Sequence, residues 1–416
     1  MHMKILWLSH LIPYPPKAGV LLRSYNLIHE LSKYHSVDLL SFIQSYFMES
    51  FFPSYDDGVK KSMDELSTFC DKIKFVPIPC ESRYKGNHLL ALKSLLTRDP
   101  YSINWLKSDN FQSLLAEFMA NEKYDLVHFD TISLCPYKKL VRGVPTVLDH
   151  HNIESHMMMR RADNESNPLL KAYYWQEGAR LKKYEKKYCN SFELNITCSE
   201  LDSQRLLQID PKVNVKEVPN GVNIEYFKPR ETAIESNTLI FVGSMNWYPN
   251  VEAMHYFIES IWPLLTKKVP DCALHIVGNN PPDSIVKKSY KDSRIHVHGF
   301  VDDVRTYMEK AAVYICPIRD GGGTKLKLLD AFSMKKAVIS HPIACEGINA
   351  QPDRDVFFAE TPNEFVEKIS MLFANAELRQ ATGKNARKMV SSFYSYESIG
   401  RKLSEMYEQL YSYTQS

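Results

Sequence analysis

The stretch Arg319-Asp-Gly-Gly-Gly-Thr-Lys-Leu-Lys-Leu-Leu-Asp sets three glycines between an apolar run, Val313-Tyr-Ile-Cys-Pro, and a segment with Leu326, Leu329, Phe332 and Met334 at helical spacing. A strand that feeds a glycine loop and then a helix presents free backbone N–H groups and the positive end of a helix dipole, a combination suited to phosphate. Glycine lets the main chain approach such a ligand closely. Lys325 and Arg319 supply cations, and Asp330, farther along the helix, is placed to accept from a ribose hydroxyl. The loop is neither G-x-x-x-x-G-K-[ST] nor G-x-G-x-x-G, which counts against a P-loop enzyme and against a dehydrogenase. The competing reading is a Gly-rich turn without a ligand. Polar residues follow other apolar runs in the same way: Ser9-His10, Asp149-His150-His151-Asn152, Gly243-Ser244, Gly278-Asn279 and His298-Gly299.

The runs that would position these residues are short and β-rich. They fall at 5–8, 37–42, 74–78, 126–129, 146–148, 194–198 and 216–218, then at 239–242, 273–277, 295–298, 313–316, 337–340 and 356–359. Many are continuously apolar, the mark of parallel strands covered on both faces. Helical stripes lie between them, such as Leu21, Leu22, Tyr25, Ile28 and Leu31, or Leu114, Leu115 and Phe118. This alternation predicts an α/β fold with doubly wound parallel sheets. The pattern restarts at 239–242 after a polar segment containing Pro229. Two Rossmann-like domains are therefore expected, at 1–225 and 237–395, joined by a linker at 226–236. In open α/β sheets ligands bind beyond the carboxyl ends of the strands, so the residues named above are the candidates for function.

The length of 416 residues suits two or three domains. A net charge of +2 is not that of a nucleic-acid binder, so no nucleic-acid partner is expected. The eight cysteines include no C-x-x-C and no zinc-type spacing, and several sit inside apolar runs, which suits buried thiols in a reducing cytoplasm. No stretch approaches the ~18 apolar residues of a membrane span. The one D-x-D, Asp353-Arg-Asp355, lies far from the glycine loop and reads as a surface turn, so no metal is expected. Lys182, Lys183, Lys186 and Lys187 surround Glu185 and leave two readings: a solvated helix face, or attraction to anionic lipid or a diphosphate-linked acceptor at the inner face of a membrane.

Several motifs, taken in order, resemble a known family. They are Pro13-Tyr-Pro-Pro-Lys-Ala-Gly, Tyr124-Asp-Leu-Val-His-Phe, Asp149-His-His-Asn-Ile-Glu, Val218-Pro-Asn-Gly-Val-Asn, Phe241-Val-Gly-Ser-Met-Asn-Trp, His298-Gly-Phe-Val-Asp-Asp and Gly321-Gly-Gly-Thr-Lys-Leu-Lys-Leu-Leu-Asp-Ala-Phe. Together they resemble the GT-B glycosyltransferases of family 4 (glycosyl transferases group 1), in the form with a GGGTxLK donor loop. The resemblance implies two domains facing each other across a cleft and a C-terminal helix, 396–416, that returns to the N-terminal domain. It implies transfer of a sugar, with retention of configuration, from a nucleotide sugar (UDP- or GDP-sugar) to a glycan or lipid-linked acceptor. Polysaccharide or glycolipid assembly is the implied setting.

By the same resemblance His151 and Lys325 are catalytic, with His150 the alternative histidine. Gly243, Asn246, His298, Gly299, Phe300, Arg319, Gly322, Gly323, Thr324, Leu326 and Asp330 hold the donor. Gly19, Arg23 and Asn152 serve the acceptor, Arg23 being either a phosphate ligand or an exposed helix arginine. Trp247 and Tyr248 either stack on a ligand or cover a seam. Much of the family carries a Glu-x7-Glu pair around the loop. Asp330 stands at the second position and Gly322 at the first, where the family's carboxylate helps to hold the donor sugar. That departure keeps open a non-catalytic nucleotide-sugar-binding subunit, with a GT-B epimerase or hydrolase as a further alternative.

Overall fold

The computed structural model describes residues 1–17, 19–79, 87–230, 232–320 and 324–415. Its strands form two sheets. The first holds β1 (Lys4–Ser9), β2 (Ser36–Ile43), β3 (Ile73–Pro77), β4 (Leu126–Phe129), β5 (Thr146–His150), β6 (Leu194–Thr197) and β7 (Val215–Glu217), in the order β3-β2-β1-β4-β5-β6-β7. The second holds β8 (Glu235–Val242), β9 (Ala273–Val277), β10 (Ile295–Gly299), β11 (Ala311–Cys316), β12 (Ala337–Ser340) and β13 (Phe357–Phe358), in the order β10-β9-β8-β11-β12-β13. Neighbouring strands are parallel throughout. Strand order reverses direction at β1/β4 in one sheet and at β8/β11 in the other. Those are the switch points where the loops diverge and leave room for a ligand.

Burial on both faces explains why the strands read as unbroken apolar runs. In β1, Leu6 and Leu8 enter one hydrophobic cluster while Ile5 and Trp7 enter another on the opposite face. The cluster under Ile5 and Trp7 also takes Ile399, Leu403 and Tyr407 from the helix Tyr396–Gln415, a stripe at four-residue spacing. Tyr407 Oη lies 2.6 Å from His128 Nδ1, and the His128 ring stacks on Trp7 at 3.5 Å. The seven described cysteines are buried and unbridged.

The chain forms two compact units, Met1–Pro219 with Ile399–Ser416, and Asn220–Ser398. The break falls before the polar 226–236 segment because residues 220–228 are tied down within the second unit. Val222 bridges to Ser395, Arg305 Nη1 donates to Tyr226 O at 2.9 Å, and Ser333 Oγ donates to Phe227 O at 2.7 Å. No helix among the described residues is long and apolar enough to cross a membrane.

Candidate active site

At the switch point of the first sheet, β1 ends in Ser9-His10 and β4 runs into Asp130. The buried Asp130 carboxylate accepts from Ser9 Oγ at 2.7 Å, from the His10 backbone N–H at 3.0 Å and from His10 Nδ1 at 2.9 Å. Burial alone would raise the Asp130 pKa, but His10 and Ser9 hold it below its ordinary value. Burial would likewise depress His10, yet Asp130 keeps it raised. His151 follows β5, its ring centroid 5.6 Å from that of His10. Its Nε2 is buried without a hydrogen-bond partner among the described residues. Burial pushes the His151 pKa down to about 4, against the pull of Asp149 and Asp130, so the ring is neutral near pH 7.

Among the described residues, His10, Asp130 and His151 form the group that brings three metal-ligand-type atoms within 4.8 Å of one another. The Asp130 carboxylate already accepts from Ser9 and His10, and a metal bound through His10 Nδ1 would displace the hydrogen bond between that nitrogen and Asp130. Behind this group Glu154 opens the helix Glu154–Asp163. Its carboxyl is pushed up to about 7 by burial, with His10 opposing.

In the second unit the strand exits are laced together. Gly243 N–H donates to Val277 O at 2.9 Å, Met245 N–H to Asn279 O at 3.0 Å, and Gly278 N–H to Gly299 O at 2.9 Å. At Gly278 the approach is close enough to require glycine. A Cβ on Gly278 would lie 1.9 Å from the Gly243 carbonyl oxygen, and a Cβ on Gly243 would lie 2.6 Å from Lys327 Nζ. Lys327 comes from the helix Leu326–Ser333, which follows the glycine loop. Its ammonium donates to Asn250 Oδ1 and sits 4.9 Å above the Phe241 ring. Burial lowers its pKa to about 8.

One helical turn on, the half-buried Asp330 receives no hydrogen bond to its carboxylate from the described residues, and burial pushes its pKa up to about 7. Lys325 is buried just before the helix, 5.7 Å from the Trp247 ring centroid. Thr324 Oγ1 is buried and has no hydrogen-bond partner among the described residues. Arg319 pairs with Glu252 and stacks 3.7 Å above Tyr256. The second unit thus combines a helix start, three cations and an acceptor carboxylate at its strand ends. Such an arrangement can bind an anion and the polyol next to it.

Two family models match the chain: "Glycosyltransferase Family 4" over residues 79–226 and "Glycosyl transferases group 1" over residues 236–375. Together they cover more than half of it. The chain is a glycosyltransferase of the GT-B fold. It is 22% identical to an uncharacterized 44.6 kDa protein in the cps region of Klebsiella pneumoniae, over 95% of this chain and 97% of that one. It is 24% identical to an uncharacterized glycosyltransferase of Haemophilus influenzae, over 41% of this chain and 49% of the relative. Among solved structures it resembles sucrose-phosphate synthase from Thermosynechococcus elongatus, with a TM-score of 0.70 and 14% identity over 99% of this chain and 100% of that one. Anabaena HepE in complex with UDP gives a TM-score of 0.66 and 13% identity over 98% and 100%.

The geometry of the glycosyltransferase corrects one expectation. Arg23 is not an exposed helix arginine. It is 1% exposed, forms a two-pronged pair with Asp149 at 2.8 and 3.0 Å, and donates to Val218 O at 2.8 Å. Arginine's planar fork matches a carboxylate and leaves spare donors for a carbonyl, so the residue ties a helix to the ends of two strands.

The two histidines separate. His150 is buried within the sheet, its Nε2 3.0 Å from Asn195 Oδ1, whereas His151 joins His10. Asn152 lies in the turn before the helix Glu154–Asp163, and Gly19 opens the helix Gly19–Leu31. Gly322 and Gly323 lie outside the described residues. His298 engages His275 at 2.9 Å and packs on Tyr307, while Phe300 is 75% exposed. Gly299 has a φ of +67°. Asn246 is exposed, its Oδ1 accepting from Asn280 at 3.1 Å, and Leu326 is half-buried. Asp353-Arg-Asp355 forms a tight turn, with Asp353 at φ +58° and its N–H on Val356 O at 2.8 Å.

Sequence reasoning placed His10 at a strand exit but missed its partner Asp130, and missed Lys327 and Asn250 as members of these groups. Lys327 did carry a signal. It and Asp330, three apart, are the two charged residues of a helix otherwise made of Leu, Ala, Phe and Ser.

Proposed function

We propose that this glycosyltransferase moves a sugar from a UDP- or GDP-sugar to a glycan or lipid-linked acceptor, with retention of anomeric configuration and without a metal ion. The reaction would serve assembly of a cell-surface polysaccharide or glycolipid, at or near the inner face of a membrane. The observation that carries the donor assignment is the Asp330 carboxylate, unbonded by the described residues and one helical turn from the half-buried Lys327 ammonium. A nucleoside diphosphate offers both complements, a ribose diol for the carboxylate and a diphosphate for the cations.

Departure of the diphosphate develops negative charge. Lys325, Lys327 and the start of the helix Leu326–Ser333 are the groups assigned to stabilise it, which is why no metal is invoked. UDP in the HepE structure and the cps-region relative support the nucleotide and the setting respectively. The neutral His151 is assigned to the transition state of transfer and not to nucleotide binding.

A thermal-shift screen of UDP-, GDP-, ADP- and dTDP-sugars tests the donor, because a ligand bound by the native state raises apparent stability. NMR of the product's anomeric configuration tests retention. Stabilisation by no nucleotide sugar, or an inverted product, would overturn the respective part.

A further inference from the structure

Three histidines stand together at one edge of the second sheet, where β10 is the outermost strand and pairs with β9. In the parallel register His275 lies opposite His296, so the two side chains share one face. Pairing slips between Val297 and Gly299 and leaves His298 as the extra residue of a bulge. A bulge in an edge strand re-aims a side chain. This one sets His298 Nε2 2.9 Å from His275 Nδ1. Tyr307 packs on the His298 ring at 4.5 Å, and the charged group acting on His275 is Lys310, which reaches Glu235 at 4.0 Å.

The ring centroids lie 4.8 Å apart for His275 and His296, 5.2 Å for His275 and His298, and 6.3 Å for His296 and His298. Three imidazoles on one tetrahedral ion, with metal–nitrogen distances of ~2.0–2.1 Å, stand with centroids about 5 Å apart. Two nitrogens on such an ion are about 3.3 Å apart, so the hydrogen-bonded pair has only ~0.4 Å to open. His296 does not converge with that pair as it stands, but it is exposed, and turning its ring closes the set. Burial and the neighbouring rings push His275 down to about 4 and hold His298 below its ordinary value, so both are neutral near pH 7.

We propose that His275, His296 and His298 form a site for a divalent transition-metal ion of the zinc class, one that takes no part in the chemistry of sugar transfer. Imidazole suits zinc, copper and nickel, whereas magnesium prefers oxygen ligands. On binding, the ion replaces the hydrogen bond between His275 and His298. The ring that donated it keeps its proton on its other nitrogen, so neither ring changes charge. Water fills the fourth position. The ion fastens the edge strand β10 to β9 beside Gly299.

The test is calorimetric titration of the full chain with zinc chloride, nickel chloride and magnesium chloride near neutral pH. The wild-type protein is expected to bind zinc and nickel and not magnesium. His296→Gln, a substitution at an exposed position, should weaken zinc binding by more than the roughly 10–100-fold that follows loss of an outer partner of a ligand. Its melting temperature and sugar transfer without zinc should match those of the wild type. His275→Gln should weaken zinc likewise. In the wild-type protein zinc should slow hydrogen exchange in 273–277 and 295–299, which places the ion without any variant.

A wild-type protein that binds no zinc overturns the proposal, and so does zinc affinity that is unchanged in His296→Gln. Magnesium binding as tight as zinc's would argue against imidazole ligands and overturn it too. If instead His151→Gln abolishes zinc binding and 295–299 gains no protection, the ion sits with His10 and Asp130 and the inference falls.

Discussion

Replacing Asp330 by asparagine keeps the side chain's shape and removes its charge, so stability and binding should move in opposite directions. Burial raises the Asp330 carboxyl from 3.8 to about 7, with Lys327 offsetting only part of that cost. A group whose folded pKa exceeds its unfolded value favours the folded state below the unfolded pKa. It loses that contribution as pH rises through the folded pKa. The wild-type and asparagine proteins should therefore melt together near pH 4 and separate as pH rises to about 7.

Roughly three units at 1.36 kcal/mol each set an upper limit of about 4 kcal/mol. Asp330 is partly exposed, and solvent screening cuts this to ~2 kcal/mol. For a unit of this size that is an increase of roughly 4–8 °C at pH 8 in the asparagine variant. Nucleoside-diphosphate affinity should fall in the same variant by about 1.5–3 kcal/mol, the worth of a charge-assisted hydrogen bond. In the wild-type protein that affinity should itself weaken below pH 7, as the acceptor carboxylate becomes protonated. Thermal melts from pH 4 to 9 and calorimetry with UDP and GDP measure both. Equal melting temperatures at pH 8 would refute the poorly hydrated carboxyl, and unchanged nucleotide affinity would refute the ribose assignment.

Arg23→Ala leaves Asp149 charged and buried without its partner, so urea unfolding of the first unit should show a loss of about 3–5 kcal/mol; a raised acceptor KM at unchanged stability would favour the acceptor role. Gly278→Ala forces a methyl to within 1.9 Å of the Gly243 carbonyl oxygen. It should part the laced strand exits and weaken nucleotide binding, and an alanine variant with wild-type melting and affinity would show that the loops yield freely. His151→Ala should lower kcat and kcat/KM together while nucleotide affinity holds, as expected for an interaction specific to the transition state; steady-state kinetics beside calorimetry would expose full activity or lost nucleotide affinity, either of which contradicts the assignment.

The fold was legible because parallel strands covered on both faces must be apolar at successive positions. Each run read from the sequence lies on or overlaps a strand, down to the half-exposed β7 at 215–217. The site was legible where chemistry and chain position coincide, as in a cation, a glycine loop and a carboxylate within a dozen residues. Long-range pairing was not. Arg23 meets Asp149 across 126 residues, and nothing near Arg23 in the sequence distinguishes a buried fork from a surface one.

The choice between His150 and His151 was closer to hand. Strand alternation puts His150 on the side of Leu148, where it meets Cys189 and Asn195, and puts Asp149 on the side of Val147, with Arg23. His151 comes one residue past the end of β5 and is released from that alternation. Lys327 was passed over because Lys325 stands nearer the glycines. The partner that distinguishes it, Asn250, lies 77 residues upstream.

The first unit is closed by a late segment. Residues 399–416 belong to it, and Ile399, Leu403 and Tyr407 fill the space under β1 that residues 1–219 leave open. The second unit is one uninterrupted stretch, Asn220–Ser398. During synthesis, then, the part made first is finished last. Its lower hydrophobic face waits for Tyr407 while some 180 later residues are translated and gain a complete sheet of their own.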